Sequence, residues 1–207
     1  MQNPLYPDSE IERIYQLGRS HKMQQKQWEW LEFLSILNKR ERMKNVLEIG
    51  CYEGGTSITM SYFTDKITCV DVINPPMFDS TDFSKSCNFN YMALNSQKPE
   101  SIKTLLDTVG ELDLLFIDGD HSYEGALRDY QNYSPLVKKG GLIAFHDIVN
   151  SHHHRILGCT VYKAWEQIKV NHEWWDEIIT DNFGKEHTST EISAVSDAWG
   201  GIGVVIK

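Results

Sequence analysis

The sequence of 207 residues is poor in the features that mark special classes of protein. Its four cysteines form no C-x-x-C pair, and Cys51 and Cys69 lie in or beside apolar runs, as free thiols do in a reducing compartment. The chain does not start with a basic segment followed by an apolar stretch, and strongly apolar runs such as 114–117 are far too short to cross a bilayer. We therefore expect a cytoplasmic protein without a membrane partner.

Basic residues are also scarce. Twenty Lys and Arg stand against 29 Asp and Glu, which gives a net charge of −9, and residues 46–207 hold 12 of the basic and 23 of the acidic residues. Such a surface repels a phosphate backbone and tolerates a cationic ligand better than an anionic one. The charge balance therefore argues against a nucleic-acid partner.

After residue 45 the chain alternates short apolar runs with helical stretches. The apolar runs are 46–49, 67–70, 89–93, 112–117 and 142–145, and the helical stretches are 55–63, 99–108 and 123–137. This alternation is typical of βαβ units and predicts a parallel sheet. Two further apolar runs, 177–180 and 203–206, have no clear helix between them and predict a terminal antiparallel hairpin.

Residues 1–45 follow a different pattern. Ser9 and Glu12 form a capping box ahead of one amphipathic helix, and a second helical stripe runs from about 22 to 38. We expect these helices to cover one face of the sheet. Because no linker interrupts the chain, the prediction is a single domain, 1–207, in which a helical cap precedes an α/β core that starts at residue 46.

A glycine-rich turn follows the first predicted strand. Gly50, Gly54 and Gly55, with Tyr52 among them, allow a tight turn and a close approach of the backbone to a ligand at the start of a helix. The spacing is not G-x-G-x-x-G, because Tyr52 stands two residues after Gly50, so the dinucleotide fingerprint is absent. By itself, the turn is only weak support for a nucleotide-type pocket.

Asp71 strengthens this interpretation. It ends the second predicted strand, 21 residues after Gly50, where a carboxylate can accept hydrogen bonds from both hydroxyls of a ribose. The alternative is an aspartate that only caps its own turn. Asn95 and Ser96, after the third predicted strand, lie where an adenine ring sits in such a fold.

Four motifs together resemble class I S-adenosylmethionine-dependent methyltransferases. They are Glu48-x-Gly50 after one strand, Asp71 at the end of the next, Ile-Asp-Gly-Asp-His-Ser-Tyr-Glu-Gly at 117–125 and Lys-Gly-Gly-Leu-Ile-Ala-Phe-His-Asp at 139–147. The resemblance runs from about residue 46 to 169. It is strongest to small-molecule O-methyltransferases of the macrocin and catechol type and to the cephalosporin hydroxylase-like proteins.

The resemblance implies a Rossmann-like three-layer α/β sandwich with a seven-stranded, mostly parallel sheet and an antiparallel last strand. It also implies S-adenosylmethionine as the cofactor. Its methionine part would lie by Glu48 and Gly50 in the glycine turn, and its ribose would reach Asp71. Its adenine would lie near Asn95, Ser96 and the turn from Asp118 to His121.

Two carboxylates and an imidazole follow neighbouring predicted strands. Asp118 ends the run 112–117, and His146 and Asp147 end the run 142–145, so parallel pairing of these strands would bring their tips within about 5 Å. Oxygen ligands suit Mg²⁺, and a histidine beside them favours Mn²⁺, Fe²⁺ or Zn²⁺. In the metal-dependent relatives the ligands here are mostly carboxylates or amides, so Asp118 and Asp147 match and His146 departs. The alternative is that both aspartates cap the following helix or turn.

Histidines near the site include a candidate general base for the reaction. His121 follows Asp118 where an acceptor hydroxyl would approach, and an imidazole of near-neutral pKa suits removal of a hydroxyl proton. The alternative is a histidine bonded into its own turn. The three histidines at 152–154 predict an exposed loop over the site, to which at most one of them contributes because adjacent side chains point in different directions.

We favour a methyltransferase that acts on a hydroxyl of a small molecule, with a divalent cation as a candidate aid. An NAD-dependent oxidoreductase is an alternative that Asp71 would also serve. A non-catalytic cofactor-binding subunit is the third reading, which the cephalosporin hydroxylase-like resemblance supports. Acceptor specificity would come from the N-terminal helices, the long irregular segment 72–88 and residues 152–155. The oligomeric state, a homo-oligomer included, stays open.

Overall fold

The computed structural model describes residues 3–73, 87–181, 184–187 and 199–207. Within them, seven strands form one sheet in the order β3-β2-β1-β4-β5-β7-β6. The strands are β1 Val46–Ile49, β2 Lys66–Asp71, β3 Asn88–Ala93, β4 Leu112–Ile117, β5 Val137–His146, β6 Trp175–Ile178 and β7 Ile202–Ile206. Only β7 runs against the others, since it pairs antiparallel with both β5 and β6. The predicted fold class, a mostly parallel seven-stranded sheet with a reversed last strand, is confirmed.

Helices cover both faces of this sheet. They are α1 Asp8–Ser20, α2 Gln27–Asn38, α3 Gly55–Ser61, α4 Pro99–Val109, α5 Tyr123–Tyr133, α6 His152–Leu157 and α7 Val161–Lys169. Side chains alternate along the strands, so that Leu47 belongs to the core cluster that contains Leu105 of α4 and Trp165 of α7, whereas Val46 belongs to the cluster with α1 and α2 on the other face. The result is a three-layer sandwich. None of the described helices is long and apolar enough to cross a membrane.

The N-terminal helices lie on one face of the sheet, as their amphipathic patterns predict. Trp30 and Phe33 of α2 are fully buried, and their rings lie 5.4 and 5.5 Å from the ring of Phe116 in β4. Aromatic contacts of this kind stabilise the packing of α2 beyond what its buried apolar area contributes. The packing also brings the segment between α1 and α2 to the carboxyl ends of the strands.

Several local predictions are wrong. Helix α1 begins at Asp8 after Pro7, so Ser9 lies inside the helix and the capping box does not form. Helix α5 ends at Tyr133, because Ser134 and Pro135 start a 3₁₀ turn that leads directly into β5. The segment with three histidines is not a loop but the short helix α6, which the side chain of Ser151 caps.

Two other predicted segments need comment. Strand β6 begins at Trp175 and ends at Ile178, two residues earlier than the sequence predicts. Of the predicted long loop, residues 74–86 lie outside the described residues, so its proposed role in acceptor specificity is carried no further.

Candidate active site

A cavity of about 930 Å³ opens at the carboxyl ends of β1, β2, β4 and β5. Strands β2 and β4 lie on opposite sides of β1, which makes this the point where the strand order reverses. Ligands of open α/β sheets bind at such points. The predicted site residues that line it are Gly50, Tyr52, Gly55, Asp71, Asn95, Ser96, Asp118, His121, His146 and Asp147.

The glycine turn after β1 owes its glycines to packing within the protein. Gly50 has a φ of +84°, and a Cβ at this position would collide with the carbonyl group of Asp118. A Cβ at Gly55 would collide with Met23, in the segment between α1 and α2. Gly54, with a φ of +83°, does not line the cavity. The prediction for Gly54 is therefore corrected, whereas Gly55 lines the cavity as predicted and its missing Cβ also makes room for Met23.

Asp71 joins the end of β2 to the glycine turn. Its Oδ2 accepts hydrogen bonds from the backbone N–H groups of Cys51 at 3.0 Å and Tyr52 at 2.8 Å, and its Oδ1 accepts one from Ile73 at 3.2 Å. The carboxylate thus caps the glycine turn as well as its own, which goes beyond the alternative of a purely local cap. It also lines the cavity, where Oδ1 keeps a lone pair for a ligand hydroxyl while both lone pairs of Oδ2 are taken by the turn.

Glu48 is not where the sequence interpretation placed it. Its side chain is fully buried, does not line the cavity, and accepts hydrogen bonds from the hydroxyls of Thr56 and Ser57 in α3. Glu48 therefore anchors the first turn of α3 to β1. Burial raises the pKa of Glu48 to about 7, against the opposing effect of the Ser57 and Thr56 hydrogen bonds.

This carboxyl gives a pH prediction. An acid with a folded-state pKa of about 7 binds its proton more tightly in the folded than in the unfolded chain, so its contribution to stability falls as pH rises from about 4.5 to about 7. In Glu48→Gln, we expect the free energy of unfolding to fall by roughly 3 kcal/mol less over this pH range than in the wild type. Urea denaturation of wild type and variant from pH 4.5 to 8 measures the difference. Glu100→Gln, on the exposed side of α4, should leave the pH profile unchanged; an E48Q profile parallel to wild type would contradict the prediction.

Polar residues after β3 form the end of the cavity predicted for adenine. Ser96 donates its hydroxyl to Oδ1 of Asp129 at 2.8 Å, and the Tyr133 hydroxyl donates to the backbone carbonyl of Ser96. Asn95 accepts a hydrogen bond from the backbone N–H of Gln97 at 2.9 Å. Asp129 is fully buried, and burial raises its pKa to about 6. Asp129 is not among the residues that the sequence predicts for the site, yet it holds Ser96 in place.

The predicted carboxylates and histidines come together after β4 and β5. Nδ1 of His146 lies 3.3 Å from Oδ1 of Asp118 and 3.3 Å from Oδ1 of Asp147. The ring of His121 lies between the same two carboxylates, with Nε2 at 3.5 Å from Asp118 and Nδ1 at 3.4 Å from Asp147. Asp147 has a positive φ of 63°, a strained conformation for a residue other than glycine.

These contacts shift the protonation of the group. The hydrogen bond to Asp118 raises the pKa of His121 to about 9. Burial lowers the pKa of His146, but the charges of Asp147 and Asp118 outweigh it and raise that pKa to about 10. Burial likewise raises the pKa of Asp147, but the charges of His146 and His121 bring it well below its usual range. The near-neutral pKa predicted for His121 as a general base is therefore corrected, because two carboxylates flank its ring.

The donor set suits a divalent cation. One ligand atom each from Asp118, His121 and Asp147 can be chosen so that all lie within 4.8 Å of one another, and His146 contacts both carboxylates. Carboxylate oxygens with imidazole nitrogens are ligands for Mn²⁺, Fe²⁺ and Zn²⁺ as well as Mg²⁺. The residues present thus fit the metal that the resemblance implies.

The N-terminal segment supplies a contact that the sequence did not predict. Gln25 is buried, and its side-chain amide donates a hydrogen bond to Oδ2 of Asp118 at 2.7 Å. Met23, Gln24 and Trp199 also line the cavity. These residues follow no motif, so only the packing of α1 and α2 against the core reveals them.

Comparison with known proteins gives a consistent assignment. Residues 47–148 match the family model described as a methyltransferase domain. An uncharacterized protein of Acanthamoeba polyphaga mimivirus is 35% identical over 111 residues, 49% of this chain and 50% of the relative. A caffeoyl-CoA O-methyltransferase-like protein of Arabidopsis thaliana is 28% identical over 118 residues, 55% of this chain and 50% of the relative. The chain thus spans about half the length of the curated relatives it matches.

The solved structures agree on the fold. An O-methyltransferase from Bacillus cereus, in a complex with S-adenosylhomocysteine (SAH), superimposes with a TM-score of 0.61 over 98% of this chain and 93% of its own, at 16% identity. The resemblance to methyltransferases that the motifs predict is confirmed by the family match.

Proposed function

We propose, on the premise that residues 47–148 match a methyltransferase domain, that this chain transfers a methyl group from S-adenosylmethionine to a hydroxyl of a small molecule. The observation that carries the proposal is a single cavity lined by the glycine turn, Asp71 and the Asp118–Asp147 pair. The same cavity thus contains both the proposed binding site for a charged cofactor and the two carboxylates proposed to face the acceptor. The solved O-methyltransferase from Bacillus cereus, which binds SAH on the same fold, supports this choice of cofactor.

The cofactor would lie along the ends of β1, β2 and β3. Oδ1 of Asp71 accepts a hydrogen bond from a ribose hydroxyl while Oδ2 keeps the turn at Cys51 and Tyr52 closed. Ser96, held by Asp129, lies at the adenine end. The acidic lining of the cavity favours a sulfonium cation. When bound, the cofactor supplies an electrophilic methyl group.

The acceptor would approach from the side of Asp118, His121 and Asp147. His121 keeps half of its side chain exposed and lies between the two carboxylates, so it is placed to hydrogen-bond an acceptor oxygen. Gln25 fixes one oxygen of Asp118 through its amide. A divalent cation held by Asp118 and Asp147, with the imidazole of His121 or His146 as the third ligand, would supply a Lewis acid that lowers the pKa of the hydroxyl. Most of the rate would come from alignment of the oxygen with the methyl group.

A turnover assay tests the proposal. Purified protein is incubated with S-adenosylmethionine labelled in the methyl group and a panel of phenols, catechols and sugar alcohols, with Mg²⁺ or Mn²⁺ and with chelator. We expect labelled methyl ether and stoichiometric SAH from at least one acceptor. Binding of SAH without turnover on any acceptor would favour the non-catalytic subunit. Reduction of NAD by an alcohol of the panel would favour the oxidoreductase, for which the family match offers no support.

A further inference from the structure

A second group of donor atoms lies beside the carboxylate pair and has no part in the proposed methyl transfer, except that it shares Asp147. Ligand atoms of Asp147, His154 and Cys159 lie within 4.8 Å of one another, and all three residues are buried yet line the cavity. His154 belongs to α6, and Gly158, with a φ of +72°, ends that helix and turns the chain so that Cys159 faces back toward it.

The hydrogen bonds of His154 determine which ring nitrogen is free. Nδ1 lies 2.5 Å from the carbonyl oxygen of Val149, which can only accept, so Nδ1 carries the hydrogen. Nε2 accepts a hydrogen bond from the backbone N–H of Gly200 at 3.1 Å. A ring nitrogen accepts through its lone pair, so Nε2 carries no hydrogen. A ring nitrogen bonded to a backbone carbonyl, with the other nitrogen presented as a ligand, is the arrangement seen around protein-bound metals.

This arrangement leaves two acceptors facing each other. Oδ1 of Asp147 lies 3.1 Å from Nε2 of His154. A carboxylate oxygen has no hydrogen to donate, and Nε2 is already acting as an acceptor for Gly200. Only a positive charge between the two atoms makes the contact favourable. That charge is either an additional proton or a cation, and the neighbouring sulfur of Cys159 is a ligand that only a cation would use.

We propose that Asp147, His154 and Cys159 form a binding site for a transition-metal ion of the Zn²⁺ or Co²⁺ type. The ligands are one carboxylate, one imidazole and one thiolate, a set that tetrahedral zinc accepts and Mg²⁺ avoids. On binding, the Cys159 thiol releases its proton to solvent as the metal–sulfur bond forms, and Nε2 exchanges the Gly200 N–H for the metal. The fourth position faces the cavity and takes water or an oxygen of a small molecule.

The chemistry of this site differs from that of the cation site at Asp118. The first site offers oxygen and imidazole donors, whereas this one includes sulfur. Both use Asp147, so an ion at one competes for this carboxylate with an ion at the other. The proposal stands apart from methyl transfer, since metal binding is measured without a methyl donor or an acceptor. Failure of either proposal leaves the other intact.

Cobalt substitution provides a direct test. Metal-free protein is titrated with Co²⁺, and its absorption spectrum is recorded. We expect a thiolate-to-cobalt charge-transfer band in the near ultraviolet and intense visible bands of four-coordinate cobalt. Excess Mg²⁺ should leave these bands unchanged, whereas Zn²⁺ should displace Co²⁺ and abolish them. A wild-type protein without the thiolate band would overturn the proposal before any variant is made, and would show that a proton occupies the gap.

Variants identify the ligands. Cys159→Ser should lose the charge-transfer band. Cys159→Ser and His154→Gln should each weaken Co²⁺ binding at this site by at least about 100-fold. Loss of a residue that only hydrogen-bonds to a metal ligand already lowers metal affinity about 10- to 100-fold. Cys87→Ser is the matched control, because Cys87 is half-buried and lies outside the cavity, and it should keep the band. Circular dichroism confirms that each variant is folded. A band that survives Cys159→Ser, or disappears with Cys87→Ser, would assign the sulfur elsewhere and refute the site.

Discussion

Asp118→Asn is expected to lower kcat/KM for methyl transfer by about 1000-fold, within the range for loss of a group that assists proton transfer or charge stabilisation. The substitution keeps the shape of the side chain but removes the charge that faces His121 and His146 at 3.5 and 3.3 Å. The hydrogen bond from Gln25 also loses its charged acceptor. Steady-state kinetics with the acceptor identified in the turnover assay measure the effect.

The cation dependence of this variant separates two roles for Asp118. If Asp118 holds a metal, added Mg²⁺ or Mn²⁺ should stimulate the wild type and have little effect on the variant. Asp107→Asn, an exposed substitution on α4 outside the cavity, is the control and should keep wild-type kinetics. Wild-type activity of Asp118→Asn, both with and without chelator, would show that the carboxylate does not take part in the reaction.

Glu29→Ala is expected to destabilise the folded chain by about 3–5 kcal/mol, the cost of leaving a buried charge without its partner. Glu29 is fully buried and lies 2.7 Å from Nζ of Lys26, which is itself buried. Its two oxygens also accept backbone N–H groups of Thr180 and Gly201, each at 3.1 Å. Glu29 therefore ties α2 to the segments after β6 and before β7, and its loss leaves the buried charge of Lys26 without a carboxylate and two N–H groups without their acceptor.

Urea denaturation of Glu29→Ala gives the free energy of unfolding. The control is Asp107→Ala, which removes a carboxylate from an exposed ion pair with Lys103 and should leave the free energy of unfolding close to that of the wild type. Because Glu29 does not line the cavity, the variant should retain its affinity for SAH where it stays folded. A loss of stability no larger than that of Asp107→Ala would show that the buried pair is not a structural tie.

The parts of the site that follow strand ends were predictable from sequence. Parallel pairing of β1 with β2 and β4 places Gly50, Asp71 and Asp118 at one edge of the sheet, and pairing of β4 with β5 adds Asp147. Such adjacency depends only on strand order and direction, which the alternating pattern and the motifs indicate. The prediction that these residues share one pocket therefore holds.

The parts that depend on tertiary packing were not predictable. Gln25 reaches Asp118 because α2 packs its aromatic side chains against β4, and no periodicity in the sequence encodes that contact. Helix α6 has six residues, too few for a helical pattern to be recognised, so burial of His154 could not be foreseen. Glu48 was a different error, since the two-residue period of β1 places it on the face of Val46, under α3 and away from the cavity.

Calorimetric titration with SAH and with NAD tests the central claim most directly, because it asks which cofactor the cavity accepts. We predict that SAH binds with one site per chain, that NAD does not bind, and that Asp71→Ala weakens SAH binding by at least about 10-fold through loss of a charged hydrogen bond. Asp65→Ala, at the opposite end of β2, should bind as the wild type does. Binding of NAD without binding of SAH would contradict the account.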